Sequence, residues 1–321
     1  MSDKKKILIT GGLGYLGSRI AKDLSVSGDY QITLTTRRGP AHWPHIQLPG
    51  VAILQLDLLN VAATEQAISK HEVVVHLAGP DEKSVIQNPY ASIDGALKAT
   101  LNLLDASVKA NIEHFFFFST VHVYGSPLVG DISESTCPKP RHPYGILNRA
   151  TEDYVLRYRD IHQLNAIVFR LSNAFGAPVH KDITRWSLVV NDLCRMAVEK
   201  GYIQLHSDGS QLRDFIPITD VSKATKFFLR LNREQTLDGI FNLGSGKSQS
   251  ILDMAYYISS KIQQVFDVIV PVRKGGINSS ERSDKGTLYI NTSKIQSMGF
   301  IPSLNTEAEI QATLDFCTDW F

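Results

Sequence analysis

The sequence predicts an α/β fold, a doubly wound parallel sheet with a smaller mixed α/β lobe toward the C-terminus. Three observations predict it. Short β-branched or aromatic runs alternate with longer helical stretches through the first half of the chain. Most of those runs are nearly continuous in apolar residues, as expected for a parallel sheet buried on both faces. After Asn173 the rhythm changes, at a loop carrying Gly176, Pro178, His180, Lys181 and Asp182. Taken in order, strands are expected at Lys6–Thr10, Gln31–Thr36, Ala52–Gln55, Val73–Leu77, His114–Ser119 and Ala166–Leu171. Helices are expected between them near Leu16–Ser27, Val61–Lys70, Ser92–Ala110 and Tyr144–Ile161. Beyond Asn173 the pattern gives a helix near Trp186–Glu199, a strand at Tyr202–His206 and a helix at Thr219–Leu231. A strand at Gly239–Leu243 could rejoin the main sheet, and two helices with a polar loop at Gly275–Lys285 follow. Residues 1–173, rejoined by about 215–245, therefore form the first domain, and 174–214 with 246–321 form the second lobe.

Bulk properties narrow the partners. The chain has 321 residues, 43% hydrophobic and 20% charged, which suits a globular protein with a sizeable core. A net charge of +1 supplies no field for steering onto nucleic acid or an acidic membrane, so neither is expected as a partner. Cys137, Cys194 and Cys317 are odd in number and widely spaced, which fits a reducing, cytoplasmic setting. Ile7–Thr10 is too short for a secretory leader, and Phe115–Phe118 far too short for a membrane span. His42 and His45, in HWPH, lack nearby Cys or carboxylate companions, so no metal is expected.

The chemistry starts at TGGLGYLG, residues 10–17. Strand, glycine-rich turn and helix follow one another in the order that a dinucleotide-binding Rossmann unit needs. Glycines allow the tight turn and the close approach of a pyrophosphate, which then faces free N–H groups at the helix start. Gly11, Gly14, Tyr15 and Leu16 are the expected contacts. The second strand ends in Thr35-Thr36-Arg37-Arg38 and offers no carboxylate for the ribose hydroxyls. Thr36 and Arg37 are expected there, with a lean toward NADP over NAD because arginine accommodates a 2′-phosphate.

With these motifs in place, the chain resembles the extended short-chain dehydrogenase/reductases, in particular the group that epimerises or dehydrates nucleotide sugars, from about Lys6 to the C-terminus. TGGLGYLG resembles that family's TGxxGxxG. Asp57, in QLDLLN with Leu58, looks like the acid that contacts the adenine amine. HLAG, residues 76–79, is similar to the HLAA segment under the cofactor, which adds Leu77, Ala78 and Gly79. STVHVYG, residues 119–125, resembles SSxxVYG and puts Thr120 at the catalytic Ser/Thr position; PYG, residues 143–145, puts Tyr144 at the catalytic tyrosine. RLSNAFG and LRDFIPITDV resemble the family's substrate blocks, implying Asn173 beside the nucleotide-sugar diphosphate and Arg213 on a phosphate. FNLGSG and Ser280-Glu-Arg282 follow the pattern too, with Arg282 as the second phosphate-contacting arginine. The resemblance also implies a homodimer built on the two long helices.

Three positions depart from that pattern. In the family a lysine four residues after the tyrosine lowers the phenol's pKa and binds the nicotinamide ribose. Here Tyr144-Gly-Ile-Leu is followed by Asn148, which hydrogen-bonds but carries no charge. His122 and His142 are candidates for a substitute acid or base. Val121 and His122 follow Thr120 where 4,6-dehydratases carry an Asp-Glu pair, so elimination of that type is not expected. Ala96 stands where the family has Asn. The leading expectation is an NAD(P)-dependent enzyme acting at a ring hydroxyl, carbon 4, of a nucleotide-activated sugar, as epimerase, dehydrogenase or ketoreductase. The alternatives are an NAD(P)-binding sensor or scaffold with little catalysis, and a reductase of a non-sugar carbonyl.

Overall fold

The structure, a computed structural model, describes residues 4–39, 48–183, 185–276 and 286–321. Its first strands in chain order are β1 (Lys5–Thr10), β2 (Tyr30–Thr36), β3 (Val51–Gln55), β4 (Val73–His76) and β5 (His114–Thr120). There follow β6 (Gly130–Ile132), β7 (Ala166–Leu171), β8 (Asn173–Phe175), β9 (Ile203–Gln204) and β10 (Leu212–Pro217). The last are β11 (Ile240–Leu243), β12 (Ser248–Ser250), β13 (Val272–Arg273) and β14 (Leu288–Ile290). The main sheet runs β3-β2-β1-β4-β5-β7-β11, and every neighbouring pair is parallel. Strand order reverses direction between β1 and β4, which places a ligand crevice outside their carboxyl ends.

The long helices are α1 (Tyr15–Ser25), α2 (Val61–Ile68), α5 (Ala99–Lys109), α6 (Pro143–His162), α7 (Val189–Lys200), α8 (Ile218–Phe228), α9 (Ile251–Phe266) and α11 (Thr306–Trp320). Shorter ones are α3 (Glu82–Gln87), α4 (Pro89–Ile93) and α10 (Ser293–Ser297). Because side chains alternate along a strand, β5 serves both sides of the sheet. Phe116 and Phe118 join the core beneath α1 and α8, while Phe115 and Phe117 join that beneath α2, α5 and α6. Among the described residues, no helix is long and apolar enough to cross a membrane.

One long helix over Ser92–Ala110 was the sequence expectation. Instead α4 passes into a wide π turn at Asp94–Lys98 before α5 begins. The Thr100 hydroxyl donates to the Ala96 carbonyl and also meets His76 Nε2 at 2.9 Å, so the widened turn brings this helix onto the end of β4. In the second half, β8, β10 and β12 form a small mixed sheet, and α7, α9 and α11 enclose a third core around Phe175, Leu193 and Phe215. Among the described residues, three helices follow Ser250 where two were expected.

Candidate active site

The glycine turn is shaped by close backbone packing. Gly11 has φ +63°, and a β-carbon there would lie 2.8 Å from the Ala78 nitrogen. At Gly17 a β-carbon would lie 2.7 Å from the Gly11 oxygen, so α1 packs directly on the turn. The Thr10 hydroxyl accepts from the Leu77 and Ala78 N–H groups, fastening residues 77–79 beside it. It also meets His76 Nδ1 at 2.7 Å. Burial depresses His76 to a pKa of about 3, so this ring is neutral and structural. Gly14 opens α1 without a capping side chain. The first-turn N–H groups of Tyr15, Leu16 and Gly17 thus remain for an outside acceptor, and a pyrophosphate fits that cradle. The Tyr15 side chain turns away: its hydroxyl donates to the Gly176 carbonyl at 2.8 Å, leaving only its main chain for a cofactor.

At the end of β2, Arg37 and Arg38 are exposed, and among the described residues neither is held by a carboxylate. The Thr36 hydroxyl accepts from the Arg38 N–H, and Gln55 donates to the Arg37 carbonyl, so the backbone here is fixed while the Arg37 guanidinium is free to bind. Asp57 spends one carboxylate oxygen on the Leu59 N–H and keeps the other exposed. Leu58 beside it is buried, its carbonyl held by Asn102. These residues fit a dinucleotide laid across the carboxyl ends of β1 to β4.

Thr120 ends β5 and accepts from the His122 N–H, starting a short 3-10 turn over Val121–Tyr124. Gly145 lets α6 come down on that turn, since a β-carbon there would lie 2.7 Å from the His122 carbonyl oxygen. This packing sets the start of α6, which carries Tyr144, against the turn that follows Thr120 and carries His122. His142, a candidate acid or base in the sequence, caps α6 instead: its Nδ1 accepts from the Tyr144 N–H at 3.2 Å. Asn148 donates back to the Tyr144 carbonyl at 2.9 Å, which satisfies half of its amide within the helix. Burial, as the main cause, holds the Tyr144 phenol above its ordinary range, with Arg185 opposing, Glu82 and Asp81 adding to the rise, and Asn148 opposing. Burial likewise holds His122 below the usual histidine range; Arg213 and His142 push the same way and Glu82 opposes, its carboxylate lying 3.9 Å from Nε2. A cavity of about 110 Å³ lies here, lined by Glu82, His122, Gly125, Ser126 and His142.

Asn173 and Arg213 reach this end of the sheet through β8 and β10, which pair Asn173 with Phe215. The Asn173 amide donates to the Asp214 carbonyl at 2.9 Å. Arg213 donates to the Leu212 carbonyl and to Gln211, and burial lowers its pKa from the usual arginine range. The FNLGSG stretch wraps the buried Asp214 carboxylate, which accepts from Ser172 and from the Ser245 and Gly246 N–H groups. Arg282, His42 and His45 lie outside the described residues.

Sequence reading missed Asp81, Glu82 and Arg185, and it passed over Glu152. Glu152 lies on the same face of α6 as Tyr144 and Asn148, at successive spacings of four, a signal that was available. It is fully buried and takes a forked hydrogen bond from Arg170 of β7, with Nη2 at 2.8 Å and Nε at 3.1 Å. Asp81 and Arg185 carry no such signal, because a loop 104 residues away delivers the partner.

Comparison with known proteins agrees with this architecture. The chain belongs to the NAD dependent epimerase/dehydratase family, whose model matches residues 7–278. A UDP-glucose 4-epimerase of Rhizobium leguminosarum bv. trifolii is 24% identical over 329 residues, covering 97% of this chain and 96% of its own. A UDP-N-acetyl-alpha-D-glucosaminuronate decarboxylase of Bacillus cytotoxicus is 29% identical over 284 residues, covering 84% of this chain and 86% of its own. Among solved structures, a Thermus thermophilus UDP-glucose 4-epimerase in complex with NAD superposes with a TM-score of 0.80 at 22% identity, covering 98% of this chain and all of that one.

Proposed function

We propose that the chain catalyses NAD(P)-dependent oxidation and re-reduction at carbon 4 of a nucleotide-activated sugar, inverting that centre as a 4-epimerase does. The observation that carries the reading is the packing of the start of α6, which carries Tyr144, on the turn that follows Thr120 at the carboxyl edge of the sheet, where Arg213 acts on His122. The naming of the R. leguminosarum relative for 4-epimerisation of UDP-glucose supports it. A bound nicotinamide supplies hydride acceptance and return. In this reading, the Tyr144 phenolate takes the proton of the C4 hydroxyl as the C4–H bond gives up its hydrogen, and the phenol returns that proton on re-reduction. Thr120 donates to the same oxygen, Asn148 turns its free amide oxygen toward the nicotinamide ribose, and neutral His122 accepts a hydrogen bond from the sugar. Asn173, Arg213 and Arg282 hold the diphosphate. Incubating the protein with NAD or NADP and a panel of UDP- and dTDP-sugars, with NMR detection of C4 epimers, tests the proposal; no conversion of any sugar would sink it.

A second reading is favoured by one contact. With Asn148 bonded back to the Tyr144 carbonyl, the chain binds a dinucleotide and turns over little. Tight NAD binding, absence of any C4 epimer, and no gain from Asn148→Lys would select it.

The cofactor preference in this proposal is NADP ahead of NAD, on the exposed Arg37 and the absence of a carboxylate at the end of β2. Replacing Arg37 with Gln is expected to weaken NADP binding by roughly 10- to 100-fold, the worth of a charge-assisted hydrogen bond, and to leave NAD unchanged. Equal loss for both cofactors in calorimetry would contradict the assignment. The proposal also includes a homodimer through α6, whose exposed Ile146, Tyr154 and Ile161 recur at near-heptad spacing on one face. Sedimentation is expected to give a dimer that Tyr154→Glu converts to monomer; a monomeric wild type would end this part. A cytoplasmic location belongs to the same reading, supported by three free cysteines.

A further inference from the structure

The lysine position of the family pattern is neutral here, so the charge that acts on the tyrosine has to come from elsewhere if the enzyme reading holds. Arg185 stands in the segment between β8 and α7, and its Nη1 lies 3.3 Å from Asp81 Oδ2. Asp81 caps α3, its other carboxylate oxygen accepting from the Ser84 N–H at 2.8 Å. One turn further along α3, Val85 is buried in a small cluster with Ala96 and Leu147, and the Tyr144 ring packs against it. Asp81 and Val85 are four residues apart, so the cap and the residue under the Tyr144 ring share one face of α3. This partly exposed pair sets the Arg185 guanidinium beside the start of α3, the element on which the Tyr144 ring packs.

We propose that Arg185, reaching across to the start of α3, is the positive charge that acts on Tyr144 in place of the lysine absent at position 148. The groups facing Tyr144 are Asp81 and Glu82 from α3, Asn148 from its own helix, and Arg185. The neighbouring His122 faces Glu82, His142 and Arg213. Of these groups at Tyr144, Arg185 alone is a cation, and it opposes the rise that burial causes. Ala96 belongs to the same arrangement: its small side chain packs with Val85 and Leu147, where a polar amide would lie in an apolar cluster. Arg185 touches neither sugar nor nicotinamide in this account and acts on the reaction through Tyr144. The cation arrives on the loop that follows Asn173, so the segment carrying the diphosphate contact also sets the charge at the phenol.

The inference rests on the reading of Tyr144 as the proton carrier, and the two are tested by different measurements. Full-length protein is labelled with ¹³C at the tyrosine ζ carbon, and the Tyr144 signal is identified as the one missing from Tyr144→Phe. Its phenolate fraction at a fixed alkaline pH is then compared, with and without NAD, for wild type, Arg185→Lys and Arg185→Met. The comparison is repeated in an Asn148→Lys background, where the new charge moves the ionisation to lower pH. Removing the cation with Arg185→Met is expected to lower the phenolate fraction by about three- to tenfold in both backgrounds. Arg185→Lys, which keeps the charge, is expected to retain most of it. An unchanged fraction in Arg185→Met in both backgrounds would overturn the inference while leaving the proton-carrier reading intact. Full epimerase activity in Tyr144→Phe would instead overturn that reading, whatever Arg185 does to the phenol.

Discussion

Replacing Tyr144 with Phe is expected to slow C4 inversion by about 10³-fold, within the range that a positioned proton carrier contributes, while NAD affinity changes by about twofold or less. The ring stays, so its packing with Val85 and Leu147 is kept and α6 is undisturbed. The lost hydroxyl meets the Asn148 side chain of its own helix, whereas the helix start depends on the His142 cap and on the Asn148 amide meeting the backbone carbonyl. The dinucleotide contacts proposed at Gly11, Leu16 and Asp57 lie on other elements, and Asn148, one turn along α6, keeps its bond to the Tyr144 carbonyl. The rate loss therefore reports proton transfer alone. Because burial raises the Tyr144 phenol and no lysine offsets it, wild-type activity is also expected to keep rising as pH increases above neutrality. Kinetics across pH with NAD-saturated protein checks both. Unchanged activity in Tyr144→Phe would remove the tyrosine from the mechanism.

Glu152→Ala is expected to cost about 3–5 kcal/mol of stability, because it leaves the Arg170 guanidinium buried and uncompensated. Arg170 is 1% exposed and Glu152 fully buried. One Arg170 nitrogen, Nη1, already lacks a hydrogen-bond partner, and the Tyr124 ring 4.8 Å from the guanidinium carbon does not replace a carboxylate charge. The pair ties α6 to β7 two turns below Tyr144, and its loss frees the helix that carries the phenol. Urea unfolding measures the cost, and Glu152→Gln, which keeps the volume and one acceptor, is expected to cost less. A loss below about 1 kcal/mol in Glu152→Ala, the range of an exposed pair, would mean that α6 is held by apolar packing instead.

Much of the first half was legible in the sequence, for a physical reason. Of the six expected parallel strands, β1, β4, β5 and β7 are largely buried and mostly apolar, so those runs stand out against the helices, while β2 and the edge strand β3 are only partly buried. The glycine turn was legible because Gly11 and Gly17 sit where a β-carbon meets backbone, a demand that only the residue type can meet. The π turn at Asp94–Lys98 was not legible. It depends on Thr100 reaching both Ala96 and His76, and His76 is distant in sequence. The strands β8, β10 and β12 were equally hidden: β8 and β12 have three residues each and carry no period, and the six of β10, LRDFIP, show no alternation.

At the site, single-residue signals were read and pairings were not. Tyr144, Thr120 and Asn148 announce themselves by position in a motif. His142 looked like a candidate base because a histidine near a tyrosine invites that reading; only the geometry shows its nitrogen occupied by a helix cap. Tyr15 likewise follows the glycine turn, yet its hydroxyl belongs to the Gly176 carbonyl across the crevice. The Asp81–Arg185 contact spans more than a hundred residues, and a compensating charge of that kind becomes visible only when the chain is folded.

The central claim is that hydride leaves and returns at the same carbon while Tyr144 carries the proton. A nucleotide sugar deuterated at carbon 4, converted by the protein with its bound dinucleotide, tests it most directly. The expected result is a C4 epimer that keeps its deuterium at carbon 4 when the reaction runs in ordinary water. An epimer that has exchanged deuterium for solvent hydrogen, or a sugar recovered without inversion, would contradict the account.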